Sequence, residues 1–248
     1  MYQQILRALA AAVPGGAYAL VPKRIAGLID YSKGYWNTFY PWGGPMNGQT
    51  ARLEIARAII EKYQIEQIIE TGTYRGTTTE WFAQFNVPVL SVETHEQFAA
   101  FSRRRLRHLP NVRIECCDST TAVKAWAADS GITSKRTLFY LDAHWKDHLP
   151  LREELELIDQ YFKSWIAIVD DFKVANDPDY GFDDYGDGKV LDLDYIRKCK
   201  LSDFVAFFPE VAGKWETGLK RGCVVLVANR DGAATCRAMP LLRPATGD

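Results

Sequence analysis

The stretch QIIETGTYRGTTTEWFA, residues 67–83, decides the fold. A short apolar run stops at Glu70. Gly72 and Gly76 bracket a turn, and a helix-forming run follows. Glycine lets a backbone turn sharply and come close to a ligand, and the N–H groups at the following helix start are free to meet one. The spacing G-x-x-x-G is not the G-x-G-x-x-G dinucleotide fingerprint. The plain alternative is an ordinary strand-to-helix turn.

Working outward, the same rhythm repeats. Asn47 to Tyr63 predicts a helix, since Leu53, Ile55, Ala56, Ile59 and Ile60 recur at helical spacing. Apolar runs at 67–70, 89–93, 112–118, 137–142 and 165–171 alternate with helical segments. Such alternation predicts right-handed βαβ units and a mostly parallel sheet. After residue 172 a long loop and a short helix near Leu193–Cys199 lead to two more strands, DFVAFF and GCVVLVA, with no crossover helix between them. These two pair antiparallel. The expected fold is therefore α/β, Rossmann-like and doubly wound. Its seven-stranded sheet is mostly parallel, with a C-terminal antiparallel strand pair. Residues 1–46 read as an N-terminal cap segment, rich in aromatics and turn formers, and residues 47–248 as the main domain.

Composition narrows the function. The chain has 248 residues, 47 % of them hydrophobic and 25 % charged, ordinary for a globular α/β protein. Lys plus Arg is 30 against 31 for Asp plus Glu, which argues against nucleic acid as partner. The five cysteines lack any CxxC spacing, so neither a disulfide framework nor a structural zinc site is expected. A cytoplasmic location is the expectation. The N-terminus lacks a cationic signal-peptide start, and no run is long enough for a membrane span. A homo-oligomer is compatible with the aromatic cap.

Successive apolar runs end in acids. Glu93 closes the second, 23 residues after Glu70, where a carboxylate accepts hydrogen bonds from ribose hydroxyls. Asp118, followed by Ser119, closes the third, where it would face an adenine amino group. Asp142 closes the fourth in LFYLDAHWKDHLP, residues 138–150, and Asp170 and Asp171 close the fifth. Neighbouring strands lie about 5 Å apart, so their terminal carboxylates can share an ion. Three aspartates make an oxygen-only site suited to Mg²⁺. Alternation along a strand sends Asp170 and Asp171 to opposite faces unless the strand has already ended.

The glycine turn resembles the glycine-rich motif of class I S-adenosylmethionine (SAM) methyltransferases. LDAHWKDHLP is similar to the corresponding stretch of animal catechol O-methyltransferases. Bacterial metal-dependent sugar and natural-product O-methyltransferases are equally similar. The resemblance spans residues 47–171 as a pattern of strand-end motifs. It implies that Glu70, Gly72, Thr73, Gly76, Glu93, Asp118, Ser119 and Asp142 bind SAM. It also implies that Asp142, Asp170 and Asp171 hold the metal, Asp171 standing where the catechol enzymes have Asn. Lys146 matches their general base, but Ala143 is an added residue, so His144 is an equal candidate beside Lys146 and Asp142. His148 is read as an ordinary loop histidine. The expected activity is transfer of a methyl group to a hydroxyl of a small diol-bearing acceptor. Metal-independent methyl transfer, a NAD(P)-dependent oxidoreductase and a non-catalytic SAM-binding domain are the alternatives.

Residues 176–195 hold seven aspartates and one lysine. They depart from a calcium loop at Tyr185 and Asp194. The run follows Asp171 directly and carries Tyr180, Phe182 and Tyr185, which suits either a solvated loop or a lid over the acceptor.

Overall fold

The computed structural model describes residues 18–144, 148–228 and 230–245. Helices α1 (Lys23–Lys33), α2 (Trp36–Phe39) and α3 (Thr50–Lys62) come first. Strands and helices then alternate as β1 (Gln67–Thr71), α4 (Thr77–Ala83), β2 (Val89–Val92), α5 (Glu96–Leu106), β3 (Val112–Glu115), α6 (Ser119–Ala127), α7 (Ser130–Thr133), β4 (Arg136–Leu141), α8 (Leu151–Tyr161) and β5 (Ser164–Val169). Beyond a long loop lie α9 (Leu193–Arg197), β6 (Val205–Pro209), β7 (Val224–Val227), α10 (Arg230–Arg237) and β8 (Leu242–Pro244).

The strands form one sheet in the order β3-β2-β1-β4-β5-β7-β6-β8. β1 to β5 pair in parallel and β6 pairs antiparallel with β7, as the sequence predicts; β7 also runs antiparallel to β5, which the sequence does not predict. The count differs: β8 is an eighth strand, not one of seven. Its three residues, ending in Pro244, carry no alternation to read, and only pairing with β6 defines it.

β1 and β4 are buried on both faces, which explains their unbroken apolar runs. Ile69, Phe139, Leu141, Ala167 and Val169 pack with Val123, Trp126, Leu155 and Ile158 of α6 and α8. Ile68, Leu138, Tyr140, Ile166 and Ile168 pack with Ile55, Ile59, Phe82 and Cys236 of α3, α4 and α10. Each such aliphatic side chain stabilises the fold by about 1.5–3 kcal/mol. The chain runs outward from β1 to β3, then returns to place β4 on the other side of β1. The crevice at the C-terminal ends of β1 and β4 is therefore the topological switch point, where such sheets bind ligands.

Helix α3 starts at Thr50, inside the 47–63 segment that the apolar pattern marks as helical. Met46, Asn47 and Gly48 have φ of 49°, 61° and 69°, left-handed values that a helix cannot continue through. Before them, α1 lies against α5. Tyr18 and Gln97 both hydrogen-bond Asp30, at 2.5 and 2.8 Å, and Tyr31 and Phe39 stack edgewise or tilted around Phe101. Several aromatics of the segment thus pack onto α5, while Trp36 and Tyr35 stay exposed. Among the described residues no helix is long and apolar enough to cross a membrane.

Candidate active site at the switch point

Gly72 has a φ of 89°, and a Cβ there would lie 2.2 Å from the Asp142 carbonyl oxygen. Only glycine lets the turn after β1 touch the end of β4. Gly76, with a φ of 75°, caps α4 and abuts Leu106, whose Cδ1 a Cβ would meet at 3.0 Å. Below the turn, Thr79 Oγ1 and Ser91 Oγ each bond Glu70 Oε2 at 2.5 Å, and Thr73 Oγ1 bonds Ser91 Oγ at 2.6 Å. Burial pushes the Glu70 carboxyl up to about 7 against the pull of the two hydroxyls. Glu70 and Thr73 therefore knit the turn to α4 and β2 from beneath.

Glu93 follows β2 and is 7 % exposed. Its Oε2 accepts from Tyr74 N at 2.7 Å and its Oε1 from His95 N at 2.8 Å. Burial raises its pKa and these donors partly offset that. Asp118 caps α6, its Oδ1 accepting from Thr120 N at 2.9 Å, while Oδ2 lies 3.2 Å from His148 Nε2. Burial raises its pKa, but the bonds from Thr120 and Thr121 and the nearby His148 outweigh it and hold the carboxyl low. Ser119, buried, opens α6 beside it.

At the ends of β4 and β5 the two adjacent aspartates part. Asp170 is fully buried and turned inward. It pairs with the Arg52 guanidinium, accepts from Tyr140 Oη at 2.5 Å and from Asn47 Nδ2 at 3.2 Å. Asp171 lies past the strand end with a φ of 52°. A carboxylate oxygen of Asp142, one of Asp171 and a ring nitrogen of His144 lie within 4.8 Å of one another. The structure thus brings Asp142 and Asp171 together, with His144 rather than Asp170 as their third member. Loss of hydration and then the charge of Asp170 push the carboxyls of Asp142 and Asp171 up, Asp171 adding to the rise at Asp142 and Arg221 opposing it at Asp171. Burial lowers the pKa of His144 and favours the neutral ring. Lys146 lies outside the described residues.

A second ring surrounds this group. Arg221 Nε donates to Asp171 Oδ1 at 2.5 Å, and its terminal nitrogen bonds Asp183 in the acidic loop. Tyr185 Oη donates to Asp183 Oδ2 at 3.0 Å, and its ring stands edge-on to His144, centroids 6.4 Å apart. The acidic loop therefore leans over the cluster. Arg52 also donates to the carbonyls of Arg221 and Gly222, tying α3 to the start of β7. Sequence reasoning missed Arg221, Tyr140 and Arg52. Arg52 carried a signal, a charge three and four residues ahead of Ile55 and Ala56 on the buried face of α3.

No family model matches the chain, and no curated protein sequence does. Solved structures do. An O-methyltransferase from Bacillus cereus, in complex with SAH, shares 14 % identity over 92 % of this chain and 100 % of its own, with a TM-score of 0.56. A putative O-methyltransferase from Klebsiella pneumoniae shares 16 % over 93 % and 100 %, with a TM-score of 0.53. TomG from Streptomyces achromogenes, an O-methyltransferase involved in tomaymycin synthesis and solved with SAM, shares 18 % over 73 % and 79 %, with a TM-score of 0.50. The chain has the fold of class I SAM-dependent O-methyltransferases.

Proposed function

We propose that this chain is a SAM-dependent O-methyltransferase acting on a hydroxyl of a small diol-bearing acceptor, assisted by a divalent cation. One observation carries the reading. Asp142, His144 and Asp171 converge at the switch point of this fold, next to the Gly72 turn and in line with Glu93 and Asp118 on the neighbouring strand ends.

The residues present suit both groups. Glu93 keeps lone pairs beyond those used by Tyr74 N and His95 N, enough for two ribose hydroxyls. Asp118, which ends the third strand and whose Oδ2 pairs with His148 Nε2, is the acid assigned to the adenine edge in this reading. SAM, when bound, supplies a methyl group on positive sulfur. A divalent cation supplies charge that lowers the pKa of an acceptor hydroxyl. The chain's own part is to position the two reactants and exclude water. The Gly72 turn sets the floor, and Tyr185 and Asp183 close the acceptor side. Lys146, two residues after His144 in sequence, is the proton acceptor in this reading, because His144 is enclosed beside two carboxylates. Exposed Phe182 and Leu219, near Asp183 and Arg221 in sequence, favour an acceptor larger than a bare catechol, such as a sugar-bearing natural product.

The test is turnover of SAM to S-adenosylhomocysteine across a panel of catechols and sugar diols, with and without EDTA. Diol-dependent turnover lost in EDTA is expected. Arg221 already faces Asp171, which favours a second reading in which the acids stand without an ion. Turnover undiminished by EDTA would establish that reading. Calorimetry that detects NAD(P) but not SAM would remove both.

A further inference from the structure

We infer that His144 is a ligand to the cation, so that the site selects a transition metal such as Mn²⁺, Co²⁺ or Zn²⁺ over Mg²⁺. This rests on the cation-assisted reading above and changes its donor set from oxygen alone to two carboxylates and an imidazole.

Three observations converge. The ligand atoms of Asp142, His144 and Asp171 lie within 4.8 Å of one another. Donors held at about 2.1 Å from one ion stand roughly 3–4 Å apart, so contraction by about 1 Å completes the set. Second, His144 is 4 % exposed, and its Nε2 has no hydrogen-bond partner among the described residues. Asp171 Oδ2 lies 3.8 Å from it, across the cluster. A buried imidazole nitrogen without a partner costs stability unless something occupies its lone pair or takes its proton. Third, the remaining groups are already engaged. Asp170 is consumed by Arg52, Tyr140 and Asn47. Arg221 takes Asp171 Oδ1, leaving Oδ2 on the side of His144. The three-aspartate set is therefore not assembled, and the set that is assembled contains nitrogen.

The chemistry follows from the donors. Mg²⁺ prefers oxygen ligands in a strict octahedron and gives up its waters reluctantly. Imidazole favours the later first-row ions, whose affinity rises through Mn²⁺, Co²⁺ and Ni²⁺. Ala143 supplies the extra residue between Asp142 and His144.

The test uses the full-length chain stripped of metal, without SAM, titrated calorimetrically with Mg²⁺, Mn²⁺ and Co²⁺. Co²⁺ is expected to bind at least about a hundredfold more tightly than Mg²⁺. In His144→Asp that ratio is expected to fall at least tenfold, with Mg²⁺ binding retained. An unchanged ratio in a folded variant overturns the inference. Should the variant fail to fold, the wild type decides. Of the four histidines, His144 alone is expected to show a Zn²⁺-induced ¹⁵N shift of its imidazole at one equivalent, and an unshifted His144 overturns the inference. The two proposals fail separately. Imidazole-dependent binding without methyl transfer to any diol sinks the methyltransferase reading and leaves the site. Methyl transfer by a chain that binds no metal does the reverse.

Discussion

Arg221 Nε lies 2.5 Å from Asp171 Oδ1 while its other end holds Asp183, so one guanidinium joins the end of β5 to the acidic loop. The pair is partly exposed, and solvent screening limits its worth to overall stability. Its larger effect is on the loop. Arg221→Gln is expected to raise the acceptor KM about tenfold, ~1.4 kcal/mol, with little change in SAM affinity. Limited proteolysis within residues 176–195 should quicken. Unchanged KM and cleavage rate would show that the loop needs no such tether.

Asp142→Asn keeps the shape of the side chain and removes its charge. Transfer should fall at least a hundredfold, about 2.7 kcal/mol. The melting temperature should hold or rise, because a like charge beside Asp170 and Asp171 is gone. Single-turnover kinetics and a thermal melt check both. A rate within tenfold of the wild type contradicts the assignment.

Arg52 and Asp170 form an ion pair with 1 % and 0 % side-chain exposure. Removing the cation alone strands a buried carboxylate, so Arg52→Met should destabilise by about 3–5 kcal/mol. Adding Asp170→Asn should restore a large part of that. Urea denaturation of the two variants decides, and a double variant no more stable than the single one refutes the account.

Glu154 on α8 is 1 % exposed, and burial pushes its carboxyl up to about 7 from an ordinary 4.5. The folded state thus keeps its proton at pH values where the unfolded chain has released it. The contribution of this buried acid to stability is full below about pH 4.5 and is lost as pH rises through 7, up to about 3 kcal/mol. Glu154→Gln should flatten this part of the stability profile between pH 4.5 and 7 and be more stable than wild type at pH 8. Glu70, pushed up to the same level, keeps its own share of the slope in the variant. Parallel profiles for the two proteins would rule the effect out.

Glu93→Ala should weaken SAM binding roughly tenfold through lost hydroxyl contacts. The loop gives a further readout, since Tyr74 N and His95 N lose their acceptor. Calorimetry showing unchanged affinity would remove Glu93 from the cofactor site.

The sheet was legible because parallel strands buried on both faces appear as unbroken apolar runs, and β1, β4 and β5 are such runs. The strand-end acids were legible for the same reason, since a run that stops at Asp142 or Glu93 marks a carboxyl end. The direction of each carboxylate was not. Whether Asp170 or Asp171 faces the crevice depends on one backbone dihedral, and position in a strand does not encode it. Arg221 comes from the turn before β7, 50 residues after Asp171, and only the antiparallel pairing of β7 with β5 brings it near. His144 depended on the path of the loop after β4, which the inserted Ala143 left open.

The left-handed turn at Asp171 limits what can stand there irrespective of chemistry. Side chains with a Cβ resist a φ of 52°, and asparagine, aspartate and glycine resist it least. A saturation library at this position would thus be sorted twice, by folding and by catalysis, with asparagine the replacement that meets the first demand and still offers an oxygen to the second.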